Sequence, residues 1–479
     1  MSSSQASANS FGLVYIGANR LVRLLGDWQL GGTALHGQLA DRLRTLVRNG
    51  ALPPGARLPS ERMLSSALGL SRTTVTKALD TLRSEGLMAS RLGDGTYVTY
   101  PARRLLSRSD DRMRTFADPE SGSIDLRSAA MPGLPMVAEE FNHLDGTRAR
   151  ELVAQNGYVP SGLPELRQAV ADYYTNLGLP TTPDHILITS GAQPALRLAA
   201  SFFVGPNSTV LIEEPSFRGA IGSLKLLGAR LIGIPSGPEG IAVEELAKAI
   251  SSTSPQLVLI QSTVHNPTGS VLDSFARSRV AALAARRHVV FVDDATLADC
   301  IIDGERRPVP LAAGADSIVT IGSMSKSFWG GLRVGWIRAQ PDLVAEMAVA
   351  KGGEDLGTSV LAQLASTQLL PKIEQARDQR LMTLGENRRL ALEAFADLLP
   401  EWTPQIPQGG SSLWVKLPDH CATALVQRAE RFGVQVLPGS HFSCADHLDD
   451  YVRLSYAGAP ELTRRGIELL ARAWADMRR

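Results

Sequence analysis

The chain has 479 residues, 44% hydrophobic and 20% charged, which is typical of a soluble globular protein with two or more domains. No apolar run reaches the length of a membrane span, and the small polar residues 1–10 lack the regions of a signal peptide. Three scattered cysteines, Cys300, Cys421 and Cys444, indicate neither a disulfide framework nor a metal site. These features predict a cytoplasmic protein that does not contact a membrane.

The small net charge of +1 conceals an asymmetry along the chain. Residues 1–115 hold 16 Lys and Arg against 8 Asp and Glu, so the remainder holds 33 basic and 40 acidic residues. A basic segment attached to an acidic one favours a nucleic-acid partner for the first. Ordinary variation of surface charge is the alternative explanation.

A compact domain is predicted over 34–100, after a tail and lead-in segment at 1–33. Apolar residues at helical spacing predict a helix that starts near Leu35 and ends before Gly50. Ser60 and Ser71 are candidate N-caps of two further helices. A glycine turn that includes Gly95 joins two strand-like segments, 87–91 and 96–99, into a hairpin. Three helices and a hairpin predict a winged helix-turn-helix.

The second helix of the helix-turn-helix would enter the major groove of double-stranded operator DNA with its N-terminal residues. Arg72 is suited to a bidentate guanine contact, and the threonines to phosphates or thymine methyls. A solvated basic helix face is the alternative interpretation. The predicted DNA-binding residues are Arg62, Ser71, Arg72, Thr73, Thr74, Thr76, Lys77, Arg91 and Gly95.

The motifs of this domain closely resemble those of the GntR family of bacterial regulators. They are Leu-Pro-Ser-Glu-Arg at 58–62, Leu-Ser-Arg-Thr-Thr-Val at 70–75 and Gly-Asp-Gly-Thr-Tyr-Val at 93–98. The resemblance implies DNA binding as a dimer, with the hairpin near the minor groove and Gly95 at its tip.

A linker rich in Arg, Ser and Asp is predicted over 101–123, followed by a larger domain over 124–479. Strand-like runs alternate with helix-like segments there, which predicts an α/β fold with a mostly parallel sheet. A smaller α/β domain is expected after about residue 375. The predicted strands are 209–213, 257–260, 289–293 and 317–323.

Several segments of this domain would suit pyridoxal phosphate, which requires a lysine, an acid at the ring nitrogen, a phosphate cup and ring contacts. Lys326 follows a predicted strand, where α/β folds place their ligands. Asp293 ends another strand and is the candidate acid, although an Asp at a strand end is often only a cap. The remaining candidates are Ser323, Ser325 and Arg333 for the phosphate, Gly191, Ala192 and Gln193 at a helix N-terminus, and Phe217 and Asn266 against the ring.

The order of these motifs resembles the fold-type I aminotransferases, and the resemblance spans about 124–479. It implies that Lys326 and Asp293 are catalytic, with Lys326 holding the cofactor covalently and Asp293 pairing with the ring nitrogen. It also implies that Asn266 meets the 3-oxygen and that Arg453 binds the carboxylate of a substrate or effector. One departure is that Ala295 occupies the position expected of a tyrosine, which casts doubt on efficient transamination.

A GntR-type domain joined to an aminotransferase-like domain resembles the MocR-type subfamily of GntR regulators. The resemblance implies a homodimeric transcription regulator that responds to an amino compound or to pyridoxal phosphate itself. An active aminotransferase that retains a DNA-binding domain is the alternative.

Overall fold

The structure is a computed structural model. It describes residues 15–29, 34–48, 51–52, 55–85, 87–91, 95–99, 122–286, 289–304, 307–445 and 447–478, with Arg48 and Arg91 described by their backbone alone. The chain divides into two compact units, Met1–Ala117 and Asp118–Arg479. No helix of the described ranges combines the length and apolarity that crossing a membrane requires.

The first unit is a winged helix-turn-helix, as predicted. Ser60 and Ser71 cap their helices, since their hydroxyls accept from Met63 N at 3.3 Å and Thr74 N at 3.1 Å. Gly69 ends the first of these helices in the left-handed conformation. The elements are α1 (Ala18–Leu25), α2 (Leu35–Arg48), α3 (Glu61–Leu68), α4 (Arg72–Ser84) and the antiparallel hairpin β1 (Met88–Arg91) and β2 (Gly95–Val98).

The lead-in segment belongs to this unit, which corrects the predicted boundary at residue 34. Leu21, Leu25 and Trp28 are buried in the same apolar cluster as α2 and α4. Ile16 N donates to Arg57 O at 2.9 Å, and Arg57 also pairs with Tyr97 of β2. Arg57 therefore lies between β2 and the chain before α1, which pairs with Arg57 on the side away from the hairpin. The predicted linker lies almost entirely outside the described residues.

The second unit has the predicted α/β architecture around an eight-stranded sheet of order β4-β11-β10-β9-β8-β5-β6-β7. Strands β7 and β11 run in the direction opposite to the other six strands of this sheet. The strands are β4 (Ile186–Thr189), β5 (Thr209–Glu214), β6 (Arg230–Gly237), β7 (Gly240–Ile241), β8 (Leu257–Ile260), β9 (Val290–Asp294), β10 (Ile318–Ser323) and β11 (Gly335–Arg338), with the short β3 (Ile124–Asp125) before them.

Helices cover both faces of this sheet, and each face has its own apolar cluster. What we call the α8 face packs on α8 (Ala192–Phe203), α9 (Arg218–Leu226) and α12 (Pro341–Asp355). What we call the α11 face packs on α5 (Pro135–Asn142), α6 (Gly146–Val153), α7 (Pro164–Asn176), α10 (Val243–Thr253), α11 (Ser274–Arg286) and α13 (Val360–Leu369).

A smaller α/β part follows, as predicted, and has a separate core. Its antiparallel sheet has the order β12-β13-β16-β15, while β14 pairs with β3. Its elements are α14 (Ile373–Leu398), β12 (Thr403–Gln405), β13 (Ser412–Lys416), α15 (Ala422–Arg431), β14 (Val434–Gln435), β15 (Leu437–Pro438), β16 (Tyr451–Ser455) and α16 (Pro460–Met477).

Candidate functional site

Lys326 lies just beyond the carboxyl end of β10, on a short π-helical turn, Ser325–Trp329. Its Nζ donates to Ala129 O at 2.8 Å. Burial is the largest influence on this amine and lowers its pKa to about 8, with Arg453 and Arg380 acting in the same direction. A substantial fraction of the amine is therefore neutral near pH 8, and the neutral amine is the form that attacks a carbonyl.

The N-terminus of α8 is suited to binding an anion. Gly191 precedes the helix at φ +107°, and no side chain caps the first turn, so its N–H groups face outward. A Cβ at Gly191 would lie 2.9 Å from Arg333 Nη2, which donates to Ser190 O at 2.8 Å. The arginine can approach this turn because the residue is glycine.

Ser323, Ser325 and Gln193 are the other residues near this helix terminus that the sequence predicts to bind the phosphate. Ser323 Oγ donates to Ser325 Oγ at 2.9 Å, close to the start of the π-helical turn. Gln193 directs its amide elsewhere, because Nε2 donates to Gly219 O and to Ser223 Oγ on α9. We therefore assign Gln193 a contribution through its backbone only.

Phe217 and Asn266 follow the carboxyl ends of β5 and β8 at the same edge of the sheet. Phe217 immediately precedes α9 and packs against the cluster of the α8 face. Asn266 N donates to Gln261 Oε1 at 3.0 Å, and Asn266 Oδ1 is buried without a hydrogen-bond partner among the described residues. A buried amide with an unused oxygen suits a polar ligand.

Strand β9 ends in two adjacent acids, Asp293, which the sequence predicts to be the ring acid, and Asp294. Strand β9 begins and ends one residue later than predicted, and Val292 lies in the cluster of the α8 face while Phe291 lies in that of the α11 face. By alternation, Asp293 faces α11, and Asp294 faces α8. Both acids accept hydrogen bonds at both oxygens: Asp293 from Ser262 N at 3.0 Å and Ser262 Oγ at 2.8 Å, and Asp294 from Thr296 and Gln261.

Asp294 lies on the same face as the N-terminus of α8. It is among the leading charges that act on Lys326, whereas Asp293 is not. Burial raises the pKa of Asp294, and hydrogen bonds from Thr296 N and Oγ1 oppose that rise. Asp293 and Ala295 line one small cavity together with Ser323, which is among the predicted phosphate residues.

Arg453 is 2% exposed and lies on β16. Its Nη1 donates to Arg127 O at 3.0 Å, while Nε and Nη2 are buried without partners among the described residues. Burial lowers its pKa to about 9, and the charge of Arg218 adds to this effect. A buried guanidinium with two unused donors calls for an anion, and a carboxylate matches its geometry.

Together these groups fit pyridoxal phosphate. The cup at Gly191 and Arg333 would accept the phosphate, Lys326 the carbonyl carbon, and Asp293 the ring nitrogen. The unused atoms of Asn266 and Arg453 would meet the oxygens of the cofactor and of an amino compound. The sequence-based analysis did not single out Asp294, which acts on the charge of Lys326, or its hydrogen-bond partners Gln261 and Thr296.

The DNA-binding candidates of the first unit fall into two groups. Arg62, Arg72, Thr73 and Lys77 have exposed side chains on α3 and α4. The side chains of Ser71, Thr74 and Thr76 have structural partners instead: Ser71 and Thr74 bond to each other in the cap, and Thr76 Oγ1 donates to Glu61 Oε2 at 2.7 Å.

The hairpin also holds Gly95, which has φ +104° and is exposed at the start of β2. The positive φ favours glycine at this position, and a Cβ there would lie 3.3 Å from Arg57 Nε, a tight contact. Gly93 and Asp94 of the predicted turn and the side chain of Arg91 lie outside the described residues.

Comparison with known families gives two matches. Residues 123–470 match the model of aminotransferase class I and II, and residues 35–98 match that of bacterial regulatory proteins of the gntR family.

Similar individual proteins include regulators and enzymes. The probable rhizopine catabolism regulatory protein MocR of Rhizobium meliloti is 27% identical, over 92% of this chain and 94% of its own length. The 2-aminoadipate transaminase of Thermus thermophilus is 31% identical, over 67% of this chain and 80% of its own. The crystal structure of LysN, the α-aminoadipate aminotransferase of Thermus thermophilus in complex with N-(5'-phosphopyridoxyl)-L-leucine, aligns with a TM-score of 0.67 at 29% identity, covering 74% of this chain and 93% of that one.

Proposed function

This chain belongs to the aminotransferase class I and II family and carries a gntR-family domain before it, and from that premise we propose that it is a pyridoxal-phosphate-dependent DNA-binding transcription regulator. The observation that carries the proposal is the combination in one chain of exposed cations on a helix-turn-helix and a buried lysine beside an anion-binding helix terminus. Similarity to the full length of MocR supports it.

In this proposal α4 enters the major groove of operator DNA. Arg72 reads a base edge near the N-terminus of the helix, and Arg62 and Lys77 contact phosphates. Thr73 is close enough in sequence to Arg72 to contact the same site. Ser71, Thr74 and Thr76 hold the helix in place, because their hydroxyls are bonded within the domain.

Pyridoxal phosphate is the cofactor of the second unit, held by Lys326, Asp293, Asn266 and Phe217 around its ring. When bound, it supplies a carbonyl that condenses with amines and a ring that withdraws electrons. The carboxylate of Asp293 would keep the ring nitrogen protonated. Ser323, Ser325, Arg333 and the backbone of Gly191, Ala192 and Gln193 would hold the phosphate.

The signal we propose is an amino acid or a related amino compound with a carboxylate. Arg453 would bind that carboxylate through Nε and Nη2, which have no partner among the described residues. Sensing of pyridoxal phosphate itself is the other form of the proposal. In either form the protein acts as a cytoplasmic homodimer, and the ligand changes DNA affinity by binding one arrangement of the dimer more tightly.

An active aminotransferase is the second candidate. The 31% identity to a transaminase and the presence of Lys326, Asp293 and Arg453 in one site favour it. Multiple-turnover assays with a panel of amino acids separate the two candidates: sustained release of keto acid at about 1 per second or faster supports the enzyme.

The test of the regulator compares operator binding by the cofactor-free protein, the cofactor-loaded protein and the loaded protein with each amino compound. We expect the cofactor or the amino compound to change the dissociation constant for DNA, and Lys326→Ala to abolish both that change and the visible absorbance band. The matched control is Lys351→Ala, which removes a buried lysine paired with Asp355 on α12. Loss of the response in the control alone, or an unchanged response in Lys326→Ala, would contradict the proposal.

A further inference from the structure

A chain of hydrogen bonds links α3, α4 and the hairpin of the first unit. It starts at Glu61, the first residue of α3, which accepts at both carboxylate oxygens. Thr76 Oγ1 donates to Oε2 at 2.7 Å, and Arg83 Nη2 donates to Oε1 at 3.0 Å. Thr76 and Arg83 are separated by about two turns of α4 and therefore lie on one face of it. One side chain thus fixes the start of α3 at two points along α4.

Arg83 extends the chain of hydrogen bonds to the hairpin. Its Nη2 also donates to Thr96 Oγ1 on β2 at 3.0 Å, while its Nη1 donates to Asp80 Oδ1 at 2.6 Å. Thr96 is buried, and its Oγ1 lies 3.3 Å from Oγ of Ser90, the residue of β1 with which it pairs. The guanidinium therefore joins the last turn of α4 to both strands of the hairpin.

Glu61 makes these bonds as a charged group. Burial is the largest influence on it and raises its pKa, but the hydrogen bonds from Thr76 and Arg83 outweigh burial, so the pKa lies below its ordinary value. Hydrogen bonds to an ionised carboxylate are stronger than those between neutral groups. The same Thr76 hydroxyl contacts Arg72 O at 3.0 Å, which places this network beside the residue that we propose to read a base.

Apolar packing alone would leave the angle between α4 and the hairpin less well defined. Buried residues of both elements belong to one apolar cluster, which holds them together. Such packing is non-directional, whereas hydrogen bonds restrict both distance and angle. In the proposed complex α4 lies in the major groove and the hairpin near the minor groove. Their relative orientation therefore decides whether both can engage the same DNA at once.

We infer that Glu61 is a positioning residue that, through Arg83, holds the recognition helix and the hairpin at the angle that operator recognition requires. The inference rests on the proposed function, because it needs DNA binding by this unit. The charge of Glu61 acts in the opposite direction, since a carboxylate near DNA repels phosphates whatever the sequence. Loss of Glu61 should therefore weaken binding to the operator without weakening binding to random DNA, which a general loss of stability would not do.

The test compares Glu61→Gln with its matched control Glu85→Gln in the full-length protein, in whichever cofactor state binds DNA more tightly. Glu85 is also an acid of the first unit paired with an arginine, accepting from Arg44 Nε at 2.8 Å, but this pair joins α2 to the end of α4. The measurements are dissociation constants on an operator selected by the wild-type protein from a random-sequence pool and on unselected DNA of equal length. Glu61→Gln should lower the preference for the operator by about fivefold to tenfold. Glu85→Gln should leave it close to the wild-type value.

A second variant, Thr96→Val, removes the hydroxyl at the other end of the chain of hydrogen bonds and keeps the shape of the side chain. It should lower the preference for the operator in the same direction, and it keeps the inference testable if Glu61→Gln folds poorly. Combining the two substitutions should cost less than the sum of their separate effects, because both act through Arg83.

The outcomes separate this inference from the proposed function. If the wild-type protein selects no sequence from the pool, the proposed function falls and the inference with it. A wild-type protein that prefers its operator, together with an unchanged preference in Glu61→Gln and Thr96→Val, overturns the inference alone. An equal loss of preference in Glu85→Gln overturns it as well, since any broken ion pair of the unit would then have the same effect.

Discussion

The two units hold their functional side chains in opposite ways. In the helix-turn-helix unit, Arg62, Arg72 and Lys77 are exposed, and the cores beneath them contain few polar groups. In the aminotransferase unit, Asp294 and Arg453 are buried, and burial dominates the pKa of both. DNA binding by the exposed cations should depend on long-range charge and therefore on salt concentration. Ligand binding by the buried groups should depend on their desolvation and on the hydrogen-bond partners of each group.

Among the buried groups, Arg453 is where we expect a substitution to have the largest effect on ligand affinity. Arg453→Met keeps the apolar volume but removes two charge-assisted hydrogen bonds to a carboxylate, at a cost of about 3 kcal/mol, or about a hundredfold in effector affinity. Titration of the cofactor-loaded protein with amino compounds measures this loss. The control is Arg338→Met, another buried arginine with an unpartnered Nε, which pairs in β11 away from the α8 terminus. Equal losses in both variants would show a general effect of removing buried charge.

A smaller effect on binding affinity is expected at Arg72, one of the exposed side chains of the helix-turn-helix unit. Arg72→Ala should cost about 1–3 kcal/mol of specific operator binding if the guanidinium reads a base edge. The measurement is the dissociation constant on operator and on random DNA across a salt series. Equal losses on both sequences, with a fall of about one in the salt slope, would instead make Arg72 a phosphate contact. Full wild-type binding would remove α4 from the DNA interface.

Because burial lowers the pKa of Lys326 to about 8, the rate at which the cofactor attaches to this lysine should depend on pH between 7 and 9. Covalent attachment of the cofactor requires the neutral amine, so its rate should rise about tenfold between pH 7 and pH 9 and then level off. An exposed lysine of ordinary pKa would still be accelerating above pH 10. Stopped-flow absorbance of the cofactor-free protein mixed with pyridoxal phosphate distinguishes these profiles, and a rate that is flat from pH 7 to 9 would contradict the assignment.

The smallest effect concerns the cap of α4. Ser71→Ala removes the acceptor of Thr74 N and should lower the free energy of unfolding of its unit by about 1 kcal/mol. Calorimetry of the full-length protein would report this as a shift of one transition only. The control, Ser359→Ala at the cap of α13, should shift the transition of the other unit.

Local chemistry made much of the fold predictable. Caps at Ser60 and Ser71 and the strand at 257–260 are determined by neighbouring residues, and the structure confirms them. The end of β9 was predicted one residue early, because two adjacent acids end one apolar run and local patterns do not fix a strand boundary to the residue.

The lead-in segment was misjudged for a related reason. Leu21 and Leu25 have helical spacing, but the helix is short, and its burial depends on contacts with residues far along the chain. Thr76 likewise looked available for DNA because its bond to Glu61 joins two helices. Sequence reasoning thus succeeded where the deciding partner was a few residues away.

The packing of residues 15–29 has a practical consequence for dissecting this protein. A fragment cut to the limits of the family match, 35–98, would leave behind Ile16, Leu21, Leu25 and Trp28, all buried in the first unit. Each buried apolar side chain of this size contributes about 1.5–3 kcal/mol, and four of them together rival the whole stability of a small domain. An isolated DNA-binding fragment should therefore begin before Tyr15, since one that starts at residue 35 would expose a hydrophobic groove and an unpaired strand edge, a combination that promotes aggregation.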